Sequence, residues 1–402
     1  MPNINFTSSS GGDLGNRFIS KDYLMSVYPQ IANQLITPEL WVWGANFNGG
    51  LGDNTTTHRS TPVTTLAGGA NWKQVFAGEV HTAAIKTDGT LWTWGYNLYG
   101  QLGDNTSGIS RLTPVTTFAG GTNWKQVARG RSHTAAIKTD GTLWTWGYNG
   151  TGGLGNNTTT DRSTPVTTFA GGTNWKQVAG GEFHTAAIKT DGTLWTWGSG
   201  SSGKLGDNTT TQRITPVTTF AGGTNWKQVA SGREHTVAIK TDGTLWTWGR
   251  NFEGQIGDNT TTQRQTPVTT FAGGTNWKQV SCGGYFTAAI KTDGTLWTWG
   301  RNSYGQLGNN TTTNRSTPVT TFAGGTNWKQ VTGGQHHTAA IKTDGTLWSW
   351  GGNAYGQLGD NTSGTNRLTP VTTFAGGTNW KQVAGGYYFT AAIKTSDDLQ
   401  GI

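Results

Sequence analysis

Residues 184–198 read HTAAIKTDGTLWTWG, and the same fifteen residues stand at 81–95 and at 133–147. The motif Trp-x-Trp-Gly occurs seven times in the chain, and so does the motif NWKQV, with spacings of 51 or 52 residues. Together the two motifs contain all 21 tryptophans. Self-similarity at this period is typical of repeat architectures, so we expect residues 40–396 to form one repeat domain.

Each repeat predicts four short strands. WKQVA and HTAAIKT predict the first two, and the Asp-Gly pair that follows is a strong signal for a tight hairpin. TLWTWG predicts the third strand, whose alternation sends Trp195 and Trp197 to one face and Leu194 to the other. After a long loop, TPVTTF predicts the fourth strand, whose proline suits an outer edge because a missing N–H breaks no ladder there. Four antiparallel strands repeated seven times predict an all-β, seven-bladed propeller.

The two ends of the repeat region distinguish a closed ring from an open β-solenoid. The first repeat segment, ELWVWG, is a third strand with no first or second strand before it. The last, NWKQVAGGYYFTAAIKT, is a first and second strand with no third strand after them. We therefore expect residues 379–396 and 40–66 to share a closing blade, because such a ring removes exposed sheet edges that an open stack would have to cap.

Residues 1–39 differ in composition from the repeats. NFTSSSGGDLGN is typical of a flexible segment, and SKDYLMSVYPQIANQL predicts a short helix interrupted at Pro29. This segment either attaches the propeller to a larger assembly or packs against the ring, and residues 397–402 form a tail. The chain contains no apolar run long enough for a membrane span and no secretory signal peptide, which favours a virion or the cytoplasm.

The run G-x-x-H-T-A-A-I-K-T-D-G-T-L-W-T-W-G-x-N-x-x-G-Q-L-G resembles the repeat of the regulator of chromosome condensation family, over about residues 40–396. The resemblance implies a seven-bladed propeller closed by two strands from each end. Family members include an exchange factor for a small GTPase, a plant UV-B photoreceptor and a protein inhibitor of β-lactamase, so membership does not determine function. The Trp-, Asn- and Thr-rich repeats and the segment DLGNRFISKDYLMSVYPQI also resemble predicted virion or surface proteins of marine phages and bacteria.

The tryptophans raise the question of photoreception. The resemblance to the plant photoreceptor implies key tryptophans in a Gly-Trp-Arg-His-Thr run just before the second strand. In this chain the corresponding positions hold Glu79, Arg131, Glu182, Arg233, Gly284, Gln335 and Tyr387. The tryptophans lie instead at strand positions where blades press together, so core packing accounts for them.

The histidines do not predict catalysis. One repeat position holds His81, His133, His184, His235 and His337, and the same position holds Phe286 and Phe389 in the other two copies. A position that accepts either ring is selected for shape, and His58 and His336 are isolated loop residues. The sequence also lacks a metal-ligand cluster and a phosphate-binding loop. We predict no enzymatic activity, no metal and no cofactor.

The net charge of +8 follows from the repeats. The NWKQ and AIKT segments contain 14 of the 16 lysines, and strand direction places them with the aspartates of the Asp-Gly turns on one face, the lower face. Such a ring either docks an anionic surface, such as nucleic acid or lipopolysaccharide, or is a solvated rim. Because the lysines alternate with aspartate and lack interleaved aromatics, we favour the solvated rim and expect no nucleic-acid partner.

The loops at the opposite end of the blades vary between copies. The first-to-second loop and the third-to-fourth loop emerge on the same face, the upper face, because strands alternate in direction. Eight of the ten tyrosines lie there, with arginine and phenylalanine, which supply the contact area typical of binding hot spots. Neutral drift would give mostly small polar residues. We predict that the upper face binds a protein or glycan through Glu79, Tyr96, Tyr99, Arg131, Tyr148, Glu182, Phe183, Arg233, Glu234, Arg250, Phe252, Tyr285, Arg301, Tyr304, His336, Tyr355, Tyr387 and Tyr388.

The first functional hypothesis is a non-enzymatic binding propeller that serves as a phage structural or host-recognition protein. The alternative is an exchange factor or chromatin-binding regulator like other family members. The alternative is weakened because the sequence shows no β-hairpin inserted between blades and no basic N-terminal tail.

Overall fold

The computed structural model describes residues 37–66 and 69–396, which contain 28 strands and one short 3₁₀ helix, Ser201–Gly203. The strands form seven four-stranded antiparallel sheets, which are the blades of a propeller. The predicted all-β, seven-bladed fold is therefore confirmed. The predictions for residues 1–36 and 397–402 lie outside the described residues. Within the described ranges, no helical segment has the length and apolar character that crossing a membrane requires.

Each blade runs from an innermost strand beside the central channel to an outermost strand. The innermost strands are β3 (Trp72–Ala77), β7 (Trp124–Arg129), β11 (Trp175–Gly180), β15 (Trp226–Ser231), β19 (Trp277–Cys282), β23 (Trp328–Gly333) and β27 (Trp380–Gly385). The second strands are β4 (His81–Lys86), β8 (His133–Lys138), β12 (His184–Lys189), β16 (His235–Lys240), β20 (Phe286–Lys291), β24 (His337–Lys342) and β28 (Phe389–Thr395). The third strands are β1 (Pro38–Gly44), β5 (Leu91–Gly95), β9 (Leu143–Gly147), β13 (Leu194–Gly198), β17 (Leu245–Gly249), β21 (Leu296–Gly300) and β25 (Leu347–Gly351). The outermost strands are β2 (Arg59–Thr64), β6 (Arg111–Thr116), β10 (Arg162–Thr167), β14 (Arg213–Thr218), β18 (Arg264–Thr269), β22 (Arg315–Thr320) and β26 (Arg367–Thr372).

The closing blade combines strands from both ends of the repeat region, in the order β2-β1-β28-β27. Strands β1 and β28 pair without a break in register from Pro38 opposite Thr395 to Gly44 opposite Phe389. This antiparallel ladder joins the two half-blades that the sequence leaves incomplete. The ring is closed, and the open solenoid is excluded.

The core lies between blades rather than within them. In one interface Ile188 and Leu194 pack against Trp226, Val229 and Trp248 of the next blade. The same arrangement recurs at all seven interfaces. Burial of such large rings stabilises each interface, so the tryptophans act as packing residues.

The three tryptophans of a blade form one group. Trp195 and Trp197 pack with Trp175 against the preceding blade, whereas Leu194 packs against the next one, which confirms the alternation predicted for the third strand. Ring centroids within each blade lie 6.0–6.5 Å apart, mostly edge to face. This is a favourable geometry for aromatic quadrupoles.

The AIKT lysines cover the tryptophan groups. The Nζ of Lys189 lies 4.8 Å from the Trp175 ring and 4.6 Å from the Trp195 ring, and every blade repeats this contact. A cation over an aromatic face is attracted by the ring quadrupole. In the folded blade, aromatic rings therefore accompany these lysines although the sequence pattern does not interleave them, because the tryptophans reach the lysines from neighbouring strands.

In each blade a threonine of the second strand forms hydrogen bonds to the preceding blade. Thr236 Oγ1 donates to the Lys204 carbonyl at 2.9 Å, and the same oxygen lies 2.9 Å from Nε2 of His184. Because the hydroxyl has only one hydrogen, His184 Nε2 must donate the second bond. The histidine position is therefore not selected for shape alone, as the sequence suggested, since it also binds the next blade. Equivalent pairs are His81–Thr134, His133–Thr185, His235–Thr287 and His337–Thr390.

The glutamines of the NWKQV motif link the innermost strands around the channel. Gln228 Oε1 accepts from the Val280 N–H at 3.2 Å, and its Nε2 donates to the Val280 carbonyl at 3.4 Å. The Oε1 bond recurs between all seven pairs of neighbouring blades, at 2.9–3.2 Å. The side-chain amide thus replaces the neighbouring strand that an inner edge lacks.

Candidate binding face

The first variable residue of each blade lies at the upper mouth of the central channel. These seven residues are Glu79, Arg131, Glu182, Arg233, Gly284, Gln335 and Tyr387. The channel encloses about 220 Å³ and is lined below the mouth by the glutamine ring. Backbone bonds such as Arg131 N–H to the Gly181 carbonyl, 3.2 Å, join the mouth residues of adjacent blades. The mouth is therefore a ring of variable residues on a rigid backbone.

Four consecutive mouth residues are joined by ion pairs and form the ionic arc, defined as Glu79, Arg131, Glu182 and Arg233. Arg131 Nε lies 3.0 Å from Glu79 Oε2, and Arg131 Nη1 lies 2.5 Å from Glu182 Oε1. Arg233 Nε lies 2.6 Å from the other oxygen of Glu182, whose side chain is only 4% exposed. Burial opposes the charge of Arg233, but the Glu182 carboxylate outweighs it and raises the pKa of the guanidinium. This arc is held in place by its own charges.

A second ionic pair extends the arc outward. Arg250 Nη1 lies 3.0 Å from Glu234 Oε2, and its guanidinium stacks over Phe252 at 4.9 Å and Tyr285 at 4.8 Å. The guanidinium of Arg233 also contacts this tyrosine and lies 5.5 Å from the Tyr285 ring. Burial raises the pKa of the Tyr285 phenol, an effect that the arginine only partly opposes. Tyr285 therefore remains a neutral ring between two cations.

The opposite side of the upper face is an aromatic cluster, defined as Phe47, His58, Tyr304, His336, Tyr355, Tyr387 and Tyr388. The Tyr387 and Tyr388 rings lie 4.3 Å apart, and His336 lies 4.6 Å from Tyr304 and 5.7 Å from Tyr388. Tyr355 lies 5.0 Å from Tyr388. Residues from three blades therefore meet in one patch.

Two members of the aromatic cluster were not among the predicted site residues. Phe47 lies 4.5 Å from His58 and 5.1 Å from Tyr355. The interpretation of His58 and His336 as isolated loop residues is wrong, because rings from other loops and blades contact both. Burial lowers the pKa of His336 to about 4 and, together with Tyr387, raises the pKa of Tyr388 to about 12. At neutral pH these two side chains carry no charge.

The remaining predicted residues join these groups, with one exception. Tyr148 lies 5.1 Å from Tyr99 and 5.7 Å from Phe183, and the Arg131 guanidinium lies 5.6 Å from the Phe183 ring. Arg301 lies over Tyr304 at 5.5 Å. Tyr96 belongs to neither group, although its amide bonds to the Val80 carbonyl on the same face. The structure therefore brings all the predicted residues except Tyr96 into connected surface groups.

Sequence reasoning missed Lys204. Its side chain is buried, and Nζ donates to Ser201 Oγ at 2.9 Å. Burial lowers the pKa of this ammonium, while Glu234 and Glu182 act in the opposite direction. The sequence does carry a signal, because SGSSGKLGDN at 199–208 replaces the YNLYGQLGDN pattern seen at Tyr96–Asn105. Lys204 places one more cation beneath the ionic arc.

A polar network repeated in most blades holds the long loops that carry these side chains. Asn251 Oδ1 accepts from the Ile256 N–H at 2.9 Å, and its Nδ2 donates to Asp258 at 3.2 Å. Asp258 in turn lies 2.6 Å from Arg264 on the outermost strand. Because buried amides and carboxylates are satisfied within the loop, the upper-face side chains start from a backbone held in one conformation. In the described part of the chain, no group of three or more His, Cys, Asp or Glu side chains could hold a metal ion.

Comparison with known proteins agrees with this architecture. The family model described as RCC1-like domain matches residues 35–271 and 125–401. The chain is 34% identical over 325 residues to the ultraviolet-B receptor UVR8 of Arabidopsis thaliana, covering 79% of this chain and 73% of that protein. It is 29% identical over 371 residues to the human E3 ubiquitin-protein ligase HERC2, covering 89% of this chain but only 8% of that protein.

A solved structure shows the same architecture at lower identity. The crystal structure of Prp20p from Saccharomyces cerevisiae is similar with a TM-score of 0.78 and 20% identity, covering 90% of this chain and 93% of that one. The family model spans nearly all of the repeat region, and the identity to UVR8 extends over most of both chains. The protein belongs to the RCC1-like domain family.

Proposed function

We propose that the protein is a non-enzymatic binding module that holds a protein partner against its upper face. One observation carries the proposal. The residues that differ between blades meet in connected groups on one face, whereas the rest of each blade is nearly identical. A preorganised surface rich in tyrosine and arginine has the composition of a protein-binding hot spot.

The charge of the upper face supports a protein partner. The variable loops carry four glutamates and four arginines, with Lys204 beneath them, so the two signs nearly balance. Nucleic acid is bound by an excess of cations, which the upper face does not have. A protein surface that presents aromatic side chains and both signs of charge fits it best. UVR8, HERC2 and Prp20p give no support to a glycan ligand.

An exchange-factor or chromatin-binding role remains the alternative within the family. The structure of Prp20p was described together with its binding to Gsp1p and histones. At 20% identity that similarity shows the fold, and it does not transfer the partners. Each described blade has four strands, with no added hairpin between blades over residues 37–66 and 69–396. The relatives reported above come from a plant, a human and a yeast, and nothing among them supports a virion role.

The test begins with partner capture and ends with affinity. A photo-crosslinking amino acid is placed at Tyr387 and, in a second protein, at Gln212, which lies in an exposed loop outside the aromatic cluster and the ionic arc. Both proteins are used in lysate of the organism that encodes the chain. A protein captured only from Tyr387 is then purified and its affinity is measured by calorimetry.

The deciding comparison sets single alanine substitutions on the upper face against single alanine substitutions on the lower face. We expect Tyr388→Ala and Arg250→Ala to weaken binding of the captured protein by more than about 2 kcal/mol, because both are partly buried anchors. Lys125→Ala and Lys227→Ala, on exposed lower-face lysines, should leave the affinity nearly unchanged. Weaker binding by the lysine variants alone would contradict the proposal. A GTPase as the captured protein, with faster nucleotide release, would establish the exchange-factor alternative.

A further inference from the structure

The lower outer edge of the propeller carries one exposed apolar side chain per blade. Their exposed fractions are 65–67%. They are Leu66, Phe118, Phe169, Phe220, Phe271, Phe322 and Phe374. Six identical phenylalanines in a ring are unlike the scattered apolar residues of an ordinary surface, and such patches mark interaction sites.

The seven side chains occupy equivalent positions at one height on the ring. Each follows the outermost strand of its blade, where the chain turns along the lower face towards the next blade. The amide of each phenylalanine donates to a glycine carbonyl of its own blade at 2.8 Å, and the Leu66 amide does so at 3.0 Å. Because the seven blades repeat one arrangement around the channel and the anchoring bond is the same in each, the backbones that carry these side chains lie at about the same height on the ring.

The hydrophobic core between blades does not include these rings. The neighbouring Ala119, Ala221 and Ala375 pack against the hydrophobic core between blades, whereas the preceding phenylalanines lie outside it. Serine or threonine would serve equally well at an exposed loop position. The repetition of phenylalanine is therefore unexplained by packing.

The same face holds the charge excess of the molecule. Among the described residues of this face, fourteen lysines of the NWKQ and AIKT segments outnumber the six aspartates of the turns and Glu39. The NWKQ lysines are exposed: Lys73, Lys125, Lys176, Lys227, Lys278, Lys329 and Lys381. The upper face, in contrast, combines nearly balanced charges that pair with one another. The lower face thus joins a ring of exposed apolar side chains to a broad cationic surface.

We infer that the lower face binds the surface of an anionic lipid bilayer. Aromatic side chains insert at the level of the headgroups, and lysines are attracted by the negative potential of anionic lipids. A bilayer is flat and touches all seven side chains at once, so seven weak contacts combine in one binding event. A protein without matching symmetry would reach only a few of them. In this orientation the upper face points away from the bilayer and stays free for its partner.

The test is co-sedimentation of the full chain with vesicles of two compositions. One set contains phosphatidylcholine alone, and the other contains three parts phosphatidylcholine to one part phosphatidylserine. We expect binding to the second set only. The triple variant Phe169→Ser, Phe220→Ser, Phe271→Ser should reduce partitioning at least about tenfold, because three apolar anchors are removed. A second triple variant, Lys125→Gln, Lys176→Gln, Lys227→Gln, should reduce it by a similar factor.

A matched control is available on the upper face. Leu98 and Ile109 are 48% and 57% exposed, and replacing both with serine should leave vesicle binding unchanged. Thermal unfolding checks that every variant is folded. Binding of the phenylalanine variant like wild type, equal binding to both vesicle sets, or no binding to either set would overturn the inference. So would a wild-type dimer in sedimentation that the phenylalanine variant dissociates, because a second copy would then cover this face.

Discussion

At the scale of single residues, the buried histidines of the second strands make the free energy of unfolding depend on pH. Burial lowers the pKa of His133 to about 4 and that of His235 to about 3. An unfolded histidine takes up a proton near pH 6.5, so between about pH 6.5 and pH 4 the unfolded state binds more protons than the folded one. Stability is therefore complete above about pH 6.5 and is lost as the pH falls.

The double variant His133→Phe, His235→Phe tests this coupling. We expect it to fold, because Phe286 and Phe389 occupy the same position in sister blades. Each histidine contributes a slope of about 1.4 kcal/mol per pH unit in the free energy of unfolding below about pH 6.5, and the variant should lose about twice that slope. Denaturant unfolding at neutral pH and near pH 5 measures it. An unchanged slope would mean that these histidines are protonated in the folded ring.

Two arginines of the upper face should differ in their contribution to stability. Arg233 is bonded to the buried carboxylate of Glu182, whereas Arg301 contacts the Ser303 hydroxyl and the Tyr304 ring. Arg233→Ala leaves Glu182 with Arg131 as its remaining partner, so we expect a loss of about 1–3 kcal/mol in the free energy of unfolding. Arg301→Ala, the control, should stay within about 0.5 kcal/mol. Equal effects would show that the ionic arc adds nothing to stability.

At the scale of elements, local sequence pattern predicts strands but not the contacts between them. The strand pattern and the Asp-Gly turns predict each hairpin, and strand direction correctly places the variable loops on one face. The pattern could not show that Gln228 bonds to Val280, because the partners lie on different blades. For the same reason it missed the burial of Glu182 and the meeting of Tyr355 with Tyr388. The ring of exposed phenylalanines was missed because identity between repeats suggested a passive scaffold.

The glutamine ring is the element whose contribution can be measured most directly. Gln228→Leu leaves the Val280 N–H and carbonyl of the adjacent inner strand without their side-chain partner. We expect a loss of about 1–2 kcal/mol in the free energy of unfolding, as for a buried hydrogen bond that is removed from one side. Gln212→Leu, in an exposed loop, is the matched control and should change stability by about 0.5 kcal/mol or less. A neutral Gln228 variant would show that channel water satisfies these groups.

At the scale of the whole molecule, strand β28 holds the ring closed. It pairs with β1 on one side and β27 on the other, and the interfaces on both sides of the closing blade depend on its side chains. Removal of residues 380–402 should therefore abolish cooperative unfolding of all seven blades, since two interfaces open at once. Calorimetry measures the transition. Removal of residues 397–402 alone is the control and should preserve it, whereas a cooperative transition in the larger truncation would mean that an open stack is stable.

The closing ladder also has a consequence for the crowded conditions of synthesis and refolding. Strand β28 can pair with β1 of its own chain or with β1 of another copy, because both carry the sequence ELWVWG. The β1–β28 ladder between two chains is therefore chemically identical to the ladder within one chain. At low concentration the intramolecular partner is nearer and rings form. At high concentration chains are expected to exchange their terminal strands and form open, head-to-tail oligomers. The yield of monomer on refolding should therefore fall as protein concentration rises, a cost that follows directly from dividing one blade between two ends.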